Sequence, residues 1–237
     1  MRKLLYSSMS FPPEEINNVP NSYPRNSSGH LGYIQSELNW KLADFSKINR
    51  ITFDYINKRD LFLKEIEVDP FTDNINDIEN VMISRKLSQI IAATDELEQM
   101  SNFADQMTII GLWALAEQYI SKIYKEFYSQ LKQVPIKEVK SFYRWPDYQR
   151  EFQALNLDIT TCYNFANAEE CRILNNAMKH DVNVESKLLR FNFFKPFAQK
   201  KLDGIPIETQ RYLNGVSDFL GSLIEKSNSI IENKILI

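Results

Sequence analysis

Residues 81 to 132 read VMISRKLSQIIAATDELEQMSNFADQMTIIGLWALAEQYISKIYKEFYSQLK, with no proline and a single glycine, Gly111. Apolar side chains recur three or four residues apart, at Leu87, Ile90, Ile91 and Leu97, then at Ile109, Leu112, Leu115, Ala116, Tyr119, Ile120 and Ile123. That is the period of one face of an α-helix, and it lacks the strict alternation of a half-buried strand. The polar run from Ser101 to Asp105 predicts a break, which would fold the stretch into an antiparallel helical pair.

The same reading extends in both directions. From Leu31 to about Ile66 the spacing of Ile34, Leu38, Leu42, Phe45 and Ile48 predicts one long helix or two in series. Residues 1 to 30 hold Pro12, Pro13, Pro20 and Pro24 among many asparagines and serines, and read as an irregular arm. The segment 69–80, DPFTDNINDIEN, carries four acids and no base, so it reads as a loop with Asp77 or Asn80 capping the next helix. Downstream, Pro135 and Pro146 bracket a loop or short helix, and Asn167 stands three residues before Glu170, the spacing of a capping box. That helix should run to about His180. A turn at 181–186, a loop around Gly204 and an amphipathic helix from Glu208 to Asn233 complete an all-α helical bundle. The division expected is an arm (1–30), a helical segment with its acidic loop (31–80) and a bundle (81–237).

Composition excludes several functions. The chain has 237 residues, 15 Phe, 11 Tyr and only six glycines, which suits a large helical core better than a turn-rich β fold. A net charge of −3 argues against a globally basic nucleic-acid binder but leaves room for a local basic cleft. Cys162 and Cys171 are nine residues apart, opposite faces of a helix, and read as buried reduced thiols. No secretory leader or membrane span is legible, so the cytoplasm is the expected compartment. There is no phosphate-binding glycine loop, GxSxG, HExxH or CxxC. With His30 and His180 the only histidines, no multi-histidine metal site can be assembled in one chain, and neither metal nor cofactor is expected.

Attention therefore falls on ECRILNNAMKHD, Glu170 to Asp181. On a helix Arg172, Asn176 and His180 form one i, i+4 stripe, with Asn175 and Lys179 beside it. Two consecutive asparagines inside a helix are costly, because the side chain competes for backbone hydrogen bonds. Either they serve a phosphate-facing site, with His180 as proton carrier, Asn as donor and Arg172 or Lys179 as cation, or they form an Asn–His network that holds helices in register. A second feature is SKLLRFNFFKPFAQKKL, Ser186 to Leu202, in which Lys187, Arg190, Lys195, Lys200 and Lys201 are interleaved with phenylalanines and no acid. Residues 121–150 add seven bases against three acids, with Tyr143 and Trp145 nearby. Bases among aromatics suit single-stranded RNA, although the helical spacing of Phe191, Phe194 and Phe197 favours core for those rings.

The segment N-N-A-M-K-H resembles the signature of HEPN domains, helical bundles that include metal-independent RNases of toxin, CRISPR and abortive-infection systems. Their pattern is Arg, four to six residues, then His, often with Asn directly after the Arg. Asn176 and His180 fall on the family's Asn and His, whereas Asn175 stands at the Arg position. LWALAEQYISKIYKEF, Leu112 to Phe127, is similar to the family's earlier core helix, with Glu117 as its supporting acid. The resemblance covers residues from about Val81 to the C-terminus. It implies a helical bundle acting as a homodimer on RNA, without metal, in bacterial defence. It equally admits a catalytically silent module that binds nucleic acid or a protein partner from the same system.

Overall fold

The computed structural model describes residues 29–68, 78–180 and 183–235. Most of the expected arm and acidic loop, Asp77 included, therefore lies outside the described residues. With no proline between Pro24 and Pro70, α1 runs unbroken over Gly32–Lys64. Helix α2, Ile78–Lys132, returns antiparallel to it. Tyr33 donates to Glu126 at 2.8 Å, Lys122 pairs with Glu37, and Thr108 donates to Asn49 at 3.1 Å. The same register continues to the far end, where Lys86 bonds the carbonyl of Glu67. Asn80 lies within the first turn of α2 and is buried there, so it is not the cap.

The break expected at Ser101–Asp105 does not occur. No residue there is glycine or proline, Ser101 is buried, and Ala104 packs on the Phe53, Ile56, Leu63 and Leu97 cluster. The partner α1 runs straight past the polar run, and packing overrides its weak local preference. Gly111 sits inside α2 because Phe45 crosses there: a Cβ would lie 3.0 Å from the ring. The helix ends at Gln133, whose φ of 57° is the left-handed stop, followed by Pro135.

Helix α3, Trp145–Ala154, starts with Pro146 in its first turn, where the missing N–H costs nothing. Helix α4 covers Phe165–His180, α5 is the single turn Ser186–Leu189, and α6 covers Thr209–Ile235. Short 3-10 turns at Ile136–Glu138, Ile159–Thr161, Lys195–Phe197 and Leu202–Gly204 connect them. Among the described residues there is no strand, only an isolated bridge between Asn183 and Lys201. The expected all-α helical bundle is what the chain forms.

Two relations orient the bundle. The end of α6 meets the start of α1, where Asn228 accepts from the Leu31 amide at 2.9 Å, and the end of α2, where Lys234 bonds the carbonyl of Leu131. Helix α4 runs antiparallel to α6, with Asn164 against Asp218 and Glu170 against Arg211. His180, ten residues beyond Glu170, therefore lies at the opposite end from Leu31, where α1 and α2 project as a two-helix hairpin. Gly215 permits the close α4–α6 approach, since a Cβ there would fall 2.5 Å from the Asn167 Cβ. The continuous core is led by Leu112, Trp113, Tyr119 and Phe127 of α2, Cys171, Leu174 and Ala177 of α4, and Tyr212 and Phe219 of α6. Ile173 is buried and Leu115 packs against this core from a half-buried position.

Candidate functional site

Helix α4 begins two residues before the expected cap. Asn164, with φ of 56°, precedes Phe165, and Asn167 lies in the helix rather than at its boundary. The capping-box reading fails because both polar residues serve tertiary partners. Asn167 Oδ1 accepts from Arg211 at 2.7 Å, and the Glu170 carboxylate accepts from Arg211 at 2.8 and 3.1 Å and from the Tyr212 hydroxyl at 2.8 Å. Arg211 also donates to Glu208 at 2.7 Å. Burial works against charge on Arg211, but the bonds to Glu170 and Glu208 prevail and hold its pKa above the ordinary value. Burial, reinforced by Glu170, pushes the Tyr212 hydroxyl up. This closed network locks α4 onto α6. Arg211 and Tyr212 carry no sequence motif and were not among the expected residues.

The next turn holds a second ion cluster. Arg172 donates to Glu169 at 2.7 and 2.8 Å, Arg190 reaches the same carboxylate at 2.8 Å, and Arg172 lies over the Trp145 ring at 5.6 Å. Trp145 packs edge-on against Trp113, whose Nε1 donates to Glu117 at 3.0 Å. Arg172 and Glu117 are thus linked through a tryptophan pair, Arg172 over Trp145 and Glu117 on Trp113. Glu117 lines a cleft of about 470 Å³ with Gln118, Ser121, Ser141, Tyr143 and Trp145.

The last turns of α4 are different. Asn175 is only 1 % exposed; its Nδ2 donates to Asn176 Oδ1 at 3.2 Å while its own Oδ1 has no partner among the described residues. Asn176, Lys179 and His180 are exposed. Two cationic or protonatable side chains in the last turn suit the negative end of the helix dipole. Arg172 stands two turns back and is engaged by Glu169, so the open group at the end of α4 is Asn176, Lys179 and His180. His30 is exposed ahead of α1.

In the basic-aromatic segment Phe194 is buried and Phe191, Phe193 and Phe197 pack on the core, as the core reading expects. Their spacing predicts a helix, yet residues 190–199 are a series of turns with one 3-10 turn at Lys195–Phe197. Lys187, Lys195, Lys200 and Lys201 are exposed, whereas Arg190 is paired to Glu169 and lies over Phe191. The surface there offers charge more than free ring faces.

Both thiols are free and buried. Burial pushes Cys162 up to about 11 and Cys171 higher still, which makes them poor nucleophiles. Among the described residues no three His, Cys, Asp or Glu side chains gather as metal ligands, and no helix is long and apolar enough to cross a membrane. Comparison with known proteins adds no relative: no family model matches the chain, and no curated protein or solved structure matches it.

Proposed function

We propose that the chain is a HEPN-like, metal-independent endoribonuclease of the toxin or defence-effector type, acting in the cytoplasm as a homodimer. The observation that carries this reading is the exposed row Asn176, Lys179 and His180 at the end of α4, where Asn176 and His180 keep the spacing that resembles the family's Asn and His. Among the described residues these side chains are exposed, so an RNA backbone can reach them. In the reaction the ribose 2′-OH attacks phosphorus as its proton leaves, the bond to the 5′-oxygen breaks, and the leaving oxygen takes up a proton. His180 carries one of these protons, Asn176 donates a hydrogen bond to a phosphate oxygen, and Lys179 supplies the cation that Asn175 does not. A second copy would add the groups that one such row lacks.

Asn175 supports the site from behind in this reading, its amide bonded to Asn176, while Arg172 and Glu117 are engaged by Glu169 and Trp113. Lys187, Arg190, Lys195, Lys200 and Lys201 lead the RNA backbone toward it. Purified protein should cleave single-stranded RNA in EDTA and leave 2′,3′-cyclic phosphate ends. His180→Ala should lose at least 100-fold in rate, and Lys179→Ala should lose more than Arg172→Ala. Cleavage that EDTA stops, or that survives His180→Ala, overturns the mechanism.

A second reading has its own observation. The residue at the family's Arg position is buried and uncharged, and the nearest arginine is bound to Glu169. This favours a catalytically silent HEPN-like module that binds a protein or nucleic-acid partner. Inactive protein that still shifts RNA in a gel, or that co-purifies with one partner, is the outcome it expects.

A further inference from the structure

The hairpin beyond the bundle carries an apolar face that its own two helices do not cover. On α1 the side turned toward α2 is Leu42, Phe53, Ile56 and Leu63, all buried. Ile48, Ile51, Tyr55 and Phe62 are instead 54 to 70 % exposed. At 3.6 residues per turn they form one row, about 135° around the helix from the buried side. On α2 the buried side is Ile83, Leu97, Ser101 and Thr108, and Met100, Phe103 and Met107 are 38 to 64 % exposed. They lie about 110° around in the same rotational sense. Because the helices are antiparallel, the same sense of rotation carries both rows to one side of the hairpin.

The register places them at the same heights. Asn49 meets Thr108, Phe45 meets Gly111 and Lys86 meets Glu67. Ile48 is therefore level with Met107, Ile51 with Phe103, Tyr55 with Met100, and Lys58, which interrupts the α1 row, with Glu96, which interrupts the α2 row. Continued into the bundle, the α2 row reaches Gln118 and Ser121, where the Ser141–Tyr148 segment lies alongside. In the hairpin no described residue takes that place.

The charges say what fits there. Residues 45–64 carry five bases and two acids, whereas residues 78–107 carry five acids and two bases. A face with a basic leg and an acidic leg is complementary to a copy of itself turned about a two-fold axis parallel to the hairpin, which sets α1 over the partner's α2. The other possible two-fold, across the hairpin, would stack basic α1 on basic α1. From Trp40 to Phe62, two helices wide, the face offers about 650 Å² per partner, within the range of specific interfaces.

We propose that this face binds a second copy of the chain, making a four-helix assembly of two parallel hairpins in which Ile51 and Tyr55 pack on Phe103 and Met100 of the other copy and Lys58 faces Glu96 across the interface. The two bundles then lie at the same end of the assembly. This inference does not depend on the ribonuclease reading.

Sedimentation equilibrium of the full chain from 1 to 50 μM tests it, with circular dichroism to show that each variant is folded. Wild type should be a dimer, and Ile51→Asp combined with Phe103→Glu should weaken association at least 100-fold. Lys58→Glu and Glu96→Lys should each weaken it about tenfold, while an equimolar mixture of the two should recover wild-type affinity, because both cross-interface pairs are then restored. A monomeric wild type, whether residues 1–28 or another protein occupies the face, overturns the proposal. So does a dimer indifferent to the Ile51/Phe103 change, or a mixture no tighter than its components.

Discussion

Between Thr108 and Leu131, α2 buries Ile109, Leu112, Trp113, Ala116, Tyr119, Ile120, Ile123, Tyr124 and Phe127, while between Ile78 and Met107 it buries only Asn80, Ile83, Leu97 and Ser101. It is one uninterrupted helix with helical periodicity throughout. In the first stretch α3, α4 and α6 pack on it as well as α1, whereas in the second its buried side chains face α1 among the described residues. A long helix can thus carry a stable domain at one end and a sparsely supported, surface-rich arm at the other, and the neighbours decide which.

The sharpest way to break that contrast is to excavate each half. Phe127→Ala, at full burial, should cost about 3–5 kcal/mol. Leu97→Ala, whose neighbours are few and can collapse, should cost about 2 kcal/mol, at the low end of its class. Urea denaturation followed by circular dichroism measures both, and equal losses would show that the hairpin is as tightly built as the bundle. Hydrogen exchange should likewise find amides of 80–100 opening well below the global unfolding free energy.

Next in size is the lock between α4 and α6. Glu170→Ala leaves Arg211 and Tyr212 without their shared acceptor, and about 3 kcal/mol should be lost. His180→Ala on the same helix should leave the denaturation midpoint unchanged.

Alkaline pH tests the bundle through its thiols, since the hairpin has none. Cys162 holds its proton to about pH 11 when folded, whereas in the unfolded chain a thiol ionises near 8.5. The folded state therefore keeps the proton more tightly. Stability from this group is complete below pH 8.5 and falls by about 3 kcal/mol as pH rises toward 11. Thiol titration with a disulfide reagent at pH 8 should be about 100-fold slower in native than in urea-unfolded protein.

The smallest effect concerns the helix crossing. Gly215→Ala must push Asn167 aside and should cost about 1–2 kcal/mol. Gly111→Ala meets the edge of the half-buried Phe45 ring at 3.0 Å and gains helix propensity, so its change should be smaller still.

Periodicity alone determined the helices α1, α4 and α6 and the helical character of 81–132, because the burial pattern of a helix is written locally at three- and four-residue spacing. It also singled out Asn176, Lys179 and His180, since asparagines and a histidine clustered within an apolar helical pattern conflict with local propensity. What it could not decide was the fate of polar residues whose partners lie far away in sequence. Ser101–Asp105 looks like a break until α1 is set beside it. Asn167 and Glu170 look like a cap until Arg211 and Tyr212 arrive from forty residues downstream. Arg172 looks free until Trp145 lies against it and Arg190 joins it on Glu169. A hydrogen bond or ion pair is a contact between two positions, and when those positions are distant in the chain only the tertiary structure brings them together.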